Sequence, residues 1–123
     1  MKNRGFTAVE LLVTIIIGVM MVLAGYQLYA AAQKSASEAS LKARASNITY
    51  DSMREYSSKV TRPCSAQTFS PTAPADSGLT DPVISVRITC PYSATTPEIS
   101  LVTATLTYEG TETVTHAMAK APN

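Results

Sequence analysis

The chain of 123 residues has no tryptophan, one histidine and two cysteines. Those three soft or imidazole side chains are too few for a structural zinc site, which takes four. Without a second histidine there is no pair of imidazoles to hold a catalytic metal, and His116 reads as a half-buried strand residue rather than a base. Charge is scarce as well: 15% of residues are charged and the formal net charge is +1. That balance excludes a nucleic-acid binder that works by neutralising phosphates over a broad surface. Arg54, Lys59 and Arg62 form a small basic cluster. It reads first as a solvated face, with a DNA or surface contact as the minor alternative. Asp51, Asp76 and Asp81 are scattered, and no glycine-rich phosphate loop or nucleophile motif is present. The expectation is therefore a non-enzyme with no metal and no cofactor. Proline is missing from the whole N-terminal half, the first being Pro63.

What is abundant is unevenly placed. From Phe6 to Tyr29 the chain reads FTAVELLVTIIIGVMMVLAGYQLY, with Glu10 as its only charge. A helix of that length spans roughly 36 Å at about 1.5 Å per residue, enough for a hydrocarbon core of about 30 Å. Tyr26 and Tyr29 stand at the far end, where aromatic rings favour a membrane interface. A plain anchor is one reading. A cleaved secretory signal is another; Tyr29-Ala30-Ala31-Ala32 offers small residues, but the apolar run is longer than such signals carry. Neither gives Glu10 a task. A carboxylate inside an apolar span costs several kcal/mol, roughly, unless it finds a partner, and a plain anchor has no use for one.

The segment Gly5-Phe6-Thr7-Ala8-Val9-Glu10 follows the short basic leader Met1-Lys2-Asn3-Arg4 and precedes Leu11-Leu12-Val13. It resembles the class III signal of type IV pilins and the related pseudopilins: Gly, Phe, three residues, Glu, then an apolar helix. The resemblance covers roughly residues 1–30 and carries several implications. A membrane-bound prepilin peptidase cuts between Gly5 and Phe6 on the cytoplasmic side. Phe6 becomes the new N-terminus and is N-methylated. Glu10 pairs with the terminal amine of a neighbouring subunit, so that Phe6 and Glu10 together direct filament assembly. The expected partners are further copies and other pilins, the peptidase, the inner-membrane assembly machinery and, before assembly, the membrane itself. The precursor is expected as a single-pass inner-membrane protein with its N-terminus in the cytoplasm, and the assembled form as an extracellular pilus (fimbrium) for adhesion, motility or DNA uptake. Nucleic acid as a ligand has no further support. A pseudopilin of a type II-like secretion system shares this N-terminus. The cysteine pair and the lack of a calcium-ligand cluster favour the pilin. A monomeric membrane-anchored interaction domain is the competing class. Loss of the leader takes the side-chain balance from +1 to −1.

Residues 30–60 contain no Gly or Pro and favour helix. Leu41, Ala45, Ile48, Ser52 and Tyr56 make one face. Lys34 and Glu38 stand at pairing distance along a helix. One helix is expected from Phe6 to about Lys59, roughly 80 Å long. Its first half (6–29) belongs in the membrane and its second (30–60) lies outside it on a small head. Pilins often bend this helix at a proline; here only Gly18 and Gly25 offer soft points.

The head, 61–123, begins with a Pro-rich loop over 61–82. Three strands follow. Val83–Cys90 places Ile84, Val86, Ile88 and Cys90 on one face; Ile99–Tyr108 does so with Val102, Ala104, Leu106 and Tyr108; Thr113–Met118 with Val114, His116 and Met118. Pro91 to Pro97 reads as a turn region, and Glu109-Gly110-Thr111 as a hairpin loop. The class is α+β: a long N-terminal helix packed on a three-stranded antiparallel sheet. So small a head buries little alone, so the distal helix must supply one wall. Cys64 and Cys90 are either bridged, closing a loop worth about 3 kcal/mol, or two buried thiols. A bridge there is not the C-terminal disulfide common in type IV pilins. The Ser- and Thr-rich surface is open to glycosylation.

Overall fold

A computed structural model describes residues 7–92, 94 and 98–121. The chain divides into two compact units, one ending at Glu38 and the other beginning at Ala39. A single helix, α1 (Ala8–Ser57), contributes to both. Four strands follow: β1 (Gln67–Phe69), β2 (Val83–Tyr92), β3 (Ile99–Tyr108) and β4 (Glu112–Lys120). They form one antiparallel sheet in the order β1-β2-β3-β4. The α+β class is as expected. The strand count is not: the sheet has four strands rather than three. The extra strand, β1, lies inside the segment read as loop. It is three residues long and shows no alternation of its own. Its pairing with β2, Gln67↔Ile88 through Phe69↔Val86, makes it a strand.

The unit from Ala39 onward is a two-layer sandwich of helix on sheet. Strand alternation puts Ile84, Val86 and Ile88 of β2 and Val102, Ala104, Leu106 and Tyr108 of β3 on the buried face, all between 0% and 4% exposed. β4 adds Val114, His116 and Met118, half-buried at the margin. Against this face α1 buries Ala45, Thr49 and Met53, with Leu41, Ile48 and Tyr56 at the flanks. The expected helix face is thus displaced. Ala45 is at its centre, but Thr49 and Met53, not Ser52, complete the row. Thr49 enters the core because its hydroxyl donates to the Ala45 carbonyl at 2.7 Å, leaving no polar group unpaired.

The helix stops at Ser57, two residues short of the expected end. The Ser57 and Ser58 hydroxyls donate to the carbonyls of Arg54 and Glu55, both at 2.7 Å. Lys120, at the end of β4, donates to the Ser57 carbonyl at 2.8 Å. Open carbonyls and a partial negative charge at a helix C-terminus favour this cation. Beyond the helix, Cys64 and Cys90 are bonded, with Cα atoms 6.0 Å apart and a sequence separation of 26. The bridge ties the Pro-rich segment to β2. The buried hydroxyl of Ser100 donates to Cys64 Sγ at 3.0 Å. β2 runs on through Pro91 to Tyr92, where a turn was expected. A register irregularity between Thr89 and Tyr92 admits the proline, and the pairing with β1 has already ended at Ile88. The β3–β4 hairpin turns through Glu109 (φ 51°) and Gly110 (φ 79°). Glycine takes that conformation without steric cost. Glu109 is held in it by its N–H, which donates to the Thr80 carbonyl at 2.9 Å.

Candidate functional site: the N-terminal helix and its carboxylate

The unit ending at Glu38 contains the first turns of α1. Thr7 precedes the helix as its N-cap. Its hydroxyl accepts from the Glu10 N–H (3.3 Å), its carbonyl accepts from the Leu11 N–H (3.2 Å), and its own N–H donates to Glu10 Oε2 (3.1 Å). The Thr7 hydroxyl donates to the same carboxylate oxygen at 3.0 Å. Ser or Thr at the cap with Glu three residues on is a reciprocal arrangement that satisfies orphan donors at a helix start. Glu10 therefore has a use within its own chain, and contrary to expectation even a plain anchor would employ a carboxylate here. The helix starts at Ala8, which puts residue 10 in its first turn beside free N–H groups and the positive end of the dipole.

From Leu11 to Leu23 the helix turns an apolar surface to its surroundings, interrupted only by Thr14, whose hydroxyl donates to the Glu10 carbonyl at 2.7 Å. The most apolar window of α1 has a mean hydropathy of 2.5 and none of it is buried in the fold. Val9 and Met21, for example, are 71% and 72% exposed. Helix length and composition suffice to span a membrane. Gly18 leaves a shallow apolar groove of about 330 Å3 lined by Ile15, Gly18, Val19, Val22 and Leu23. A Cβ at Gly18 would meet nothing within 4 Å. Lys34 and Glu38 do pair, at 3.9 Å, but both are well exposed, so the bridge contributes little. Gly5 and Phe6, the proposed cleavage and methylation positions, lie outside the described residues.

The other candidates fall to structural tasks. His116 Nε2 is 2.9 Å from the Ser46 hydroxyl, and its ring meets Tyr50 edge-on at 6.3 Å between centroids. It joins β4 to α1. The basic cluster loses its middle member, because the Lys59 ammonium sits over the rings of Tyr56 (4.2 Å) and Phe69 (5.3 Å), themselves packed at 4.8 Å. Sequence reasoning missed this small aromatic cage, since Phe69 reaches Tyr56 only through β1. Arg54 and Arg62 are exposed. Among the described residues no three His, Cys, Asp or Glu side chains stand close enough to share a metal ion. The phenol of Tyr108 is held above its ordinary range, near 10, first by burial and then by the carboxylates of Glu112 and Glu109. No family model matches the chain, and neither the curated proteins nor the solved structures contain a match to it.

Proposed function

We propose that the chain is the precursor of a pilin-like subunit. A prepilin peptidase removes residues 1–5, and the mature chain polymerises through its apolar helix into a surface filament. The observation that carries the reading is a lone carboxylate, Glu10, in the first turn of a helix whose apolar surface is otherwise uncovered. An uncovered helix of this kind needs lipid or other helices around it, and assembly supplies helices. The Gly18 groove supports close approach, since small residues let helix backbones come together in an apolar medium. The head supports a structural role: its one histidine is engaged with Ser46, and its cysteines are bonded to each other. The precursor sits in the inner membrane with its N-terminus in the cytoplasm, and the filament is extracellular. A pilin rather than a secretion pseudopilin is favoured by the stapled head.

The experiment is co-expression of the full chain with a prepilin peptidase, followed by intact-mass and N-terminal peptide analysis. The expected product begins at Phe6 and carries one added methyl on its amine. A product that begins at Met1 or near Ala32 contradicts the reading, in favour of an anchor or a secreted domain.

A further inference from the structure

β4 is an edge strand: among the described residues it pairs only with β3. Exposed strand edges present unpaired N–H and C=O groups and are normally blunted by charge, proline, a bulge or short length. β4 has none of these defences in its middle. Thr113 to Ala119 contains no charged residue, no Pro and no Gly. Its register with β3 is regular from Ser100↔Lys120 to Tyr108↔Glu112. The opposite edge, β1, is only three residues long.

The ends of β4 carry opposite charges, Glu112 at one and Lys120 at the other. We propose that the β4 edge binds the β4 edge of a second copy, antiparallel, about a two-fold axis at His116. In that register Glu112 lies opposite Lys120 of the other copy at both ends. Between them Thr113 meets Ala119, Val114 meets Met118 and Thr115 meets Ala117. Lys120 gives one of its ammonium protons to the Ser57 carbonyl and keeps two for a carboxylate. A slip of two residues puts Glu112 opposite Met118 and separates the charges. A slip of one turns the partner sheet over, because side chains alternate across a strand. In the matched register Val114 and Met118 of both copies lie on one continuous apolar face. The contact is self-complementary, as a two-fold interface requires.

The axis stands perpendicular to the sheet, so the two packed segments 39–57 of α1 run in opposite directions. Neighbours within one polar filament do not have that relation. In the unpolymerised chain the contact pairs two free copies, so it does not require the filament; where the chain polymerises, the same contact joins copies from separate filaments.

The test uses the full chain in detergent micelles, without processing. Thr115→Cys and Ala117→Cys chains carry different tags, are mixed and mildly oxidised. Both positions are exposed and the native cysteines are already bonded, so the new thiols alone react. Opposed positions on an antiparallel pair have Cβ atoms about 4.5–5.5 Å apart, whereas diagonal ones are about 7–8 Å apart. The expected result is a mixed-tag disulfide formed severalfold faster by Thr115→Cys with Ala117→Cys than by Thr113→Cys with Ala117→Cys or by Thr115→Cys with itself. Equal rates for all three combinations, or no cross-linked product, overturn the proposal. The retained Cys64–Cys90 bond, read by peptide mapping, shows that each variant is folded.

Discussion

Glu10→Gln protein is expected to fold its head normally and to form no filaments. The substitution separates the two tasks that Glu10 can perform. A glutamine carbonyl still accepts from the Thr7 N–H, so the cap survives. What is lost is the negative charge. In the proposed filament that charge meets the amine of Phe6 in a neighbouring subunit, where water is excluded. Removing one partner of a buried ion pair costs about 3–5 kcal/mol, because the remaining charge is left uncompensated. The cost recurs at every subunit contact. Glu10→Ala adds the lost cap, worth about 1 kcal/mol, and is expected to be no better. The melting of the head should not change, since residue 10 lies in the other compact unit. The measurement is electron microscopy of cells or reconstituted membranes, beside thermal melts of the same proteins. Filaments from Glu10→Gln protein at the parental level would reduce Glu10 to a helix cap and remove the ion pair from the account.

The second large effect is expected in the head. Leu106→Ala should lower its stability by about 3 kcal/mol. Leu106 is fully buried, on the strand between β2 and β4, under the helix layer. Truncation removes apolar contact and leaves a cavity in a core that is regular on three strands and cannot collapse easily. At about 4–8 °C per kcal/mol for a domain of this size, the melting temperature should fall by more than ten degrees, roughly. Thr105→Ala, one residue away on the open face, loses only a hydroxyl contact to Thr115 at 3.3 Å. It should change stability by less than about 0.5 kcal/mol. The pair is read by thermal melts followed by circular dichroism. A Leu106→Ala protein as stable as its Thr105→Ala counterpart would mean that this face is not the core.

Much of this fold was legible in the residues because the periods are clean. The long helix follows from an apolar block and an Ala- and Ser-rich stretch free of Gly and Pro over 30–60. The alternation in Ile84-Ser85-Val86-Arg87-Ile88 and Val102-Thr103-Ala104-Thr105-Leu106 identified the buried face of each strand correctly. The Cys64–Cys90 pairing was legible as one of two outcomes, from the need of a small head for a staple. The parts that were hidden depend on partners distant in sequence. β1 is a strand only because β2 lies beside it. Thr49 is buried only because its own helix satisfies its hydroxyl, so a pattern built on hydrophobicity passes over it. The end of β4 at Lys120, beyond the expected Met118, is set by Ser100 across the ladder and by the helix carbonyl that Lys120 reaches.

For the candidate site the limits were similar. The spacing of Gly5, Phe6 and Glu10 was visible at once, and so was the cost of a carboxylate near oil. The capping role of Thr7 is carried by the Thr-x-x-Glu pattern, but the surrounding apolar run masks that signal. A cap and an intersubunit ion pair use the same carboxylate, and one oxygen, Oε2, takes both contacts from Thr7. Among the described residues no donor reaches the other oxygen.

In the proposed filament this carboxylate is matched by a positive terminus from another subunit. A high-resolution structure of the assembled filament tests it most directly. The Glu10 carboxylate is expected within about 4 Å of the Phe6 amine of an adjacent subunit, at ion-pair distance, in a water-free helix bundle. A filament in which Glu10 bonds only to Thr7 of its own chain, or faces solvent or lipid alone, contradicts it.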